Sequence, residues 1–139
     1  MYKITKEFHF CASHTLNNLS AEHPCSRLHG HNYTVIVECS SAKLDDTGMV
    51  VDYRKLDPVK RFIDEKFDHR HLNELVEFNT TAENLAKFFY DLFDKTIPHL
   101  SAITVKEGVG QSVRYTPEFE TKKVIKGKEL AERINDNML

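Results

Sequence analysis

Cys25-Ser26-Arg27-Leu28-His29-Gly30-His31 is the stretch from which the rest of the chain is best read. Two histidines stand two residues apart, and a cysteine precedes the first by four positions. In a strand, side chains at i and i+2 share a face, about 7 Å apart. Two imidazoles so placed can converge on one metal ion. The run 32–39 that follows is β-branched and aromatic, and so reads as a strand. Its odd positions, Tyr33, Val35, Val37 and Cys39, are the apolar set, and His29 and His31 fall in the same phase. Both histidines should therefore face the buried side, where an imidazole requires a partner. Gly30 between them permits close approach to the backbone. The alternative is two surface histidines at a strand start, in a chain that holds 8.

Upstream, residues 2–12 also alternate. Tyr2, Ile4, Phe8, Phe10 and Ala12 share one phase, interrupted only by Lys6, and the next in-phase position is His14. Antiparallel pairing of the two strands across the loop 17–28 would bring His14 to His29 and His31. Three neutral imidazoles leave one coordination position of zinc open, the pattern of a catalytic site. Cys25 as a fourth ligand would close the site and make it structural. Cys25 otherwise reads as a reactive thiol, which requires a cation or base nearby. Asp68-His69 could serve it as orienter and proton acceptor, or be an ordinary polar loop. Cys11 and Cys39 lie in strands and read as small packed residues.

Further along, Asp45-Asp46-Thr47-Gly48 is a turn. Asp52 can cap a helical turn. Asp57 and Pro58 can open a helix with the stripe Leu56, Val59, Phe62, Ile63 and Phe67. Residues 68–73 break that pattern and read as a loop. Thr80-Thr81-Ala82-Glu83 fits a capping box with Thr80 as cap and Glu83 reaching back. The stripe Leu85, Phe88, Phe89, Leu92 and Phe93 follows, ended by Pro98. A third strand covers 101–107 and a fourth 111–116. In the third, Glu107 continues the apolar phase of Ile103 and Val105. An unpaired buried carboxylate is costly. Glu107 either grips a planar N–H fork, as a guanidino-like ring presents, or forms a salt bridge at a strand end.

The order β-β-α-α-β-β predicts an α+β domain, an antiparallel four-stranded sheet with two helices on one face. Its exposed edges would be removed by pairing between subunits into a closed barrel. The 139 residues are expected to form one domain over 1–117 and a charged extension over 118–139 with a short helix at about 128–134. No apolar run approaches the ~20 residues of a membrane span. The N-terminus lacks an apolar signal core. Three cysteines make no disulfide framework, so a reduced, cytoplasmic protein is expected. A net charge of -2 offers no general attraction for nucleic acid.

Several stretches together resemble the 6-pyruvoyltetrahydropterin synthase superfamily, and within it the bacterial 6-carboxytetrahydropterin synthases of the queuosine pathway. They are Phe8-His9-Phe10-Cys11-Ala12-Ser13-His14, then 25–33, 48–53, 67–73, 80–86 and Val105-Lys106-Glu107. The resemblance implies that His14, His29 and His31 hold zinc and that Cys25 is the catalytic thiol. It implies that Asp68 and His69 complete a proton relay. Glu107 would anchor a pterin ring, with Thr81 and Glu83 also at the substrate. It further implies the tunnelling fold, a homohexamer of two stacked trimers with sites between subunits, and 7,8-dihydroneopterin triphosphate as substrate. The short gap between Cys25 and His29 resembles the carboxy-forming enzymes rather than the pyruvoyl-forming ones. Cys25 argues against the branch that carries glutamate there. The pyruvoyl-forming activity, and a non-catalytic zinc- or pterin-binding protein, are the alternatives. The extension beyond about Glu118 departs from the family pattern.

Overall fold

The computed structural model of the chain describes residues 1–118. The expected helix at about 128–134 and nearly all of the charged extension lie outside the described residues. Strand β1 spans Tyr2–His14 and pairs antiparallel with β2, His29–Ser41, in continuous register from Tyr2 opposite Ser41 to His14 opposite His29. A short helix α1, Pro58–Phe62, runs into a π-helical turn, Ile63–Phe67. Strand β3 is Arg70–His71, helix α2 is Ala82–Phe93, β4 is Leu100–Glu107 and β5 is Val113–Tyr115. The sheet order is β3-β1-β2-β4-β5.

Alternation builds the core. The in-phase residues Phe8, Phe10 and Ala12 of β1 are buried with Tyr33, Val35, Val37 and Cys39 of β2, and Ile103 and Val105 of β4. Helix α2 adds Leu85, Ala86, Phe89, Tyr90 and Phe93, while Leu92, expected in the stripe, is exposed. Leu56, Val59, Ile63 and Phe67 of the α1 region are buried as their spacing predicts. Aromatic rings join the layers: Phe10 of the sheet meets Phe67 of the π turn at 5.7 Å and Phe89 of α2 at 6.4 Å. Helices thus cover one sheet face, and His9, Cys11 and Asn32 stand exposed on the other strand phase; of the two strand cysteines expected to be packed, Cys39 is and Cys11 is not.

Three expectations require correction. The sheet has five strands and is mixed, because β3 pairs parallel with Ala12 and Ser13 of β1. The cause is local. The π turn closes with Asp68 N–H on the Ile63 carbonyl at 2.8 Å, His69 adopts φ +58°, and its N–H donates to the Cys11 carbonyl at 2.7 Å. The chain then falls beside β1, in a contact too short to show periodicity. Second, Thr81, not Thr80, caps α2, its hydroxyl accepting from Asn84 N–H at 3.2 Å. Glu83 is then one position short of the reciprocal bond and is exposed. Third, Asp57 makes no side-chain cap but meets Lys6 at 2.6 Å, which accounts for the lysine that interrupts the β1 phase. Asp52 does cap its turn, accepting from Arg54 N–H at 2.9 Å. The sheet is open in the single chain, with β3 and β5 at its edges. No helix among the described residues is long and apolar enough to cross a membrane.

Candidate metal centre

Strand register assembles the centre. His14 lies directly across from His29, and His31 follows two residues later on the same face. One ligand atom from each of the three side chains lies within 4.8 Å of the other two. His14 is fully buried, and His29 and His31 are half-buried.

The hydrogen bonds fix which nitrogens face inward. His14 Nδ1 donates to the Thr80 carbonyl at 2.9 Å, with Thr80 Oγ1 at 3.1 Å and the Tyr33 hydroxyl at 3.3 Å. His29 Nδ1 donates to the Arg27 carbonyl at 2.7 Å. A carbonyl can only accept, so each proton sits on Nδ1 and each Nε2 presents a lone pair. Those two Nε2 atoms are 2.9 Å apart. Two lone pairs so close repel unless a cation lies between them. Burial holds the His14 pKa down to about 4, with Thr80 opposing and the neighbouring histidines adding to the depression. A proton on His14 Nε2 is thus disfavoured near neutral pH. His31 Nε2 is buried without a hydrogen-bond partner. One proton could serve two nitrogens, whereas a metal ion serves all three. The residues fit a metal held by three imidazoles, with carbonyl partners behind two of them, as metal-binding histidines commonly have.

Glu107 stands at the rim. It pairs with Tyr33 in the β2–β4 register, and its Oε2 is 3.8 Å from His31 Nε2. Its side chain is 22% exposed, so the carboxylate is shielded yet reachable by a ligand. Cys25 lies in the turn Pro24–Ser26, half-buried, and is not part of the three-nitrogen cluster. Thr81 and Glu83 sit at the start of α2, one as its cap and one exposed.

Asp68 and His69 form a second group. Asp68 Oδ1 lies 3.0 Å from His69 Nδ1 and also accepts from Cys11 N–H at 2.9 Å. That backbone bond, foremost, holds the Asp68 carboxyl below its ordinary range. The His69 ring is 80% exposed. It lines an open cleft of about 520 Å³ with Cys11, Ser13, Asn32, Arg70 and His71. Cys25 does not line that cleft within the single chain. Sequence reasoning missed Thr80 and Tyr33 as partners of His14. Thr80 read as a helix cap and Tyr33 as plain core, and neither spacing signals a bond to an imidazole.

A mixed sheet backed by two helices, with three buried-face imidazoles and a carboxylate at the rim, defines an α+β protein with one candidate metal site among the described residues. The chain belongs to the 6-pyruvoyl tetrahydropterin synthase family, whose family model matches residues 3–118. Among its relatives, the 6-carboxy-5,6,7,8-tetrahydropterin synthase of Bacillus subtilis is 34% identical over 97 residues, covering 65% of this chain and 64% of that protein. The enzyme of the same name from Helicobacter pylori is 34% identical over 84 residues, covering 58% of this chain and 42% of its own length. The chain therefore spans less than two thirds of these two relatives. The 6-pyruvoyl tetrahydropterin synthase structure from Caenorhabditis elegans superposes with a TM-score of 0.73 at 27% identity, covering 84% of this chain and 96% of that one.

Proposed function

We propose that the protein is a zinc-dependent 6-carboxy-5,6,7,8-tetrahydropterin synthase. It would convert 7,8-dihydroneopterin triphosphate to 6-carboxy-5,6,7,8-tetrahydropterin, acetaldehyde and triphosphate, in the cytoplasm and on the route to queuosine. The observation that carries this reading is the convergence of imidazole nitrogens from His14, His29 and His31 beside Glu107. The names of the relatives favour the carboxy-forming branch.

His14, His29 and His31 would hold zinc, which supplies Lewis acidity toward side-chain hydroxyls of a bound substrate. Glu107 accepts the paired N–H groups of the pterin edge and fixes the ring. The Cys25 thiolate moves a proton on the substrate side chain. Asp68 keeps the His69 proton on Nδ1, so His69 Nε2 is free to take or return a proton on the other face of the substrate. His69 and Cys25 do not share a cleft in one chain. Their meeting is therefore assigned to a subunit interface, in a homohexamer that also closes the open sheet edges. Incubation with 7,8-dihydroneopterin triphosphate, followed by mass spectrometry and an acetaldehyde assay, tests the reading. Acetaldehyde and the 6-carboxy product are expected. A pyruvoyl product without acetaldehyde, or no turnover by the zinc-loaded protein, overturns it.

A further inference from the structure

Strand β1 ends at His14, yet the next three residues keep a strand's alternation. Thr15 N–H donates to Asn73 Oδ1 at 2.8 Å, and the Thr15 carbonyl accepts from Asn73 Nδ2 at 2.8 Å. Asn17 repeats the pattern with Asn79: its N–H donates to Oδ1 at 2.9 Å and its carbonyl accepts from Nδ2 at 3.2 Å. Leu16, between them, points its N–H the other way and donates to the Cys25 carbonyl at 2.8 Å. In an extended chain, the N–H and C=O of one residue share a side and those of the next take the opposite side. The two asparagine carboxamides therefore stand in for a neighbouring strand. Only a carboxamide side chain offers an acceptor and a donor side by side, which is what a strand residue offers.

The consequence reaches the site. Thr15 directly follows the ligand His14, and Leu16 makes the only non-local hydrogen bond of Cys25 among the described residues. On the other side of Cys25, the Arg27 carbonyl holds His29. The loop that carries the thiol is thus tied to the imidazole cluster at two points, and one of them is the segment gripped by Asn73 and Asn79. Asn79 is itself anchored, its carbonyl accepting from Asn84 Nδ2 at 2.8 Å at the start of α2.

We propose that Asn73 and Asn79 are positioning residues that fix the loop carrying the Cys25 thiol relative to the imidazole cluster, through the clamped segment Thr15-Leu16-Asn17. This rests on the reading of Cys25 as the catalytic thiol. The direct test is alkylation by iodoacetamide with peptide mass mapping of the zinc-loaded full chain. Cys11, exposed and outside the clamp, serves as the internal reference. In an Asn73→Ala, Asn79→Ala double variant, the ratio of Cys25 to Cys11 alkylation should rise about fivefold or more, the factor set by one net hydrogen bond. Zinc content should stay at one per chain. Turnover should fall by about 10- to 100-fold, since small misplacement of a catalytic group is costly, with KM changed by about twofold at most. Asn79→Asp keeps the acceptor for Asn17 N–H and loses the donor to its carbonyl. It should raise the ratio in the same direction, by less, and it carries the test if the double variant does not fold. An unchanged ratio in a folded variant overturns the proposal. Absence of synthase activity in the unaltered protein would instead overturn the functional reading, while the alkylation ratio would still report on the clamp.

Discussion

Acidifying the metal-free protein should destabilise it in a window set by His14. The imidazole is fully buried, its Nδ1–H is committed to Thr80, and its Nε2 faces that of His29. Its pKa falls from 6.5 to about 4 on folding, chiefly through burial. Between these values the unfolded chain binds the proton and the folded one does not, so stability rises with pH. The full contribution is present above about pH 6.5 and is lost as pH falls toward about 4. A gap of about 2.5 pH units, at about 1.4 kcal/mol each, makes the loss about 3 kcal/mol. That is a large part of a typical domain stability of about 5–15 kcal/mol. Urea titrations of chelator-treated protein at about pH 7, 5.5 and 4.5 measure it, and a His14→Gln variant should lack most of the slope. Asp68, whose carboxyl is held low, acts in the same direction but further down the pH axis: its contribution is present above its ordinary value of 3.8 and is lost only as pH falls below it. The two effects thus separate on the pH axis. Stability that stays flat or rises between about pH 7 and 5 would show two imidazoles sharing a proton, and would refute the argument from burial.

A His29→Ala, His31→Ala double variant should lose bound zinc, read by elemental analysis; wild-type zinc content would contradict the three-imidazole centre. Glu107→Gln should retain zinc but bind pterin about 10- to 100-fold more weakly, as removal of a charge-assisted pair implies. Unchanged pterin affinity by calorimetry would make Glu107 only a strand-end charge. Cys25→Ala should keep zinc and lose turnover by about a hundredfold or more, whereas loss of zinc would identify the thiol as a ligand. Sedimentation should show a hexamer, and a monomer with full activity would remove the case for a shared site.

Period-2 patterning made the imidazole centre legible from sequence. Once His14, His29 and His31 are seen to share the apolar phase of their strands, antiparallel pairing brings them together, and the register shows His14 opposite His29. Glu107 was legible for the same reason, as a carboxylate in the phase of Ile103 and Val105. The stripes of α1 and α2 were readable in kind, though α1 closes early into a π turn and Leu92 faces solvent. Strand β3 was not legible. Two residues carry no period, and their placement depends on the left-handed backbone of His69 and its bond to Cys11.

The run Asn79-Thr80-Thr81 shows where sequence reading stops. Its composition reads as a helix start, and it is one, but the three side chains face three different partners. Asn79 holds the Asn17 backbone, Thr80 holds the His14 ring, and Thr81 caps α2. Only the last is a local contact within three residues; the others span 62 and 66 residues. Helix capping has a spacing rule because both groups belong to one turn of chain. A side chain that bonds to a distant backbone or ring obeys no spacing, and any polar residue of suitable length satisfies the composition. Docking of the α2 start is therefore coupled to the orientation of a metal ligand and to the segment that holds Cys25. Substitutions at Asn79 or Thr80 should accordingly act on the site more than on helix α2 itself, whose cap they leave intact.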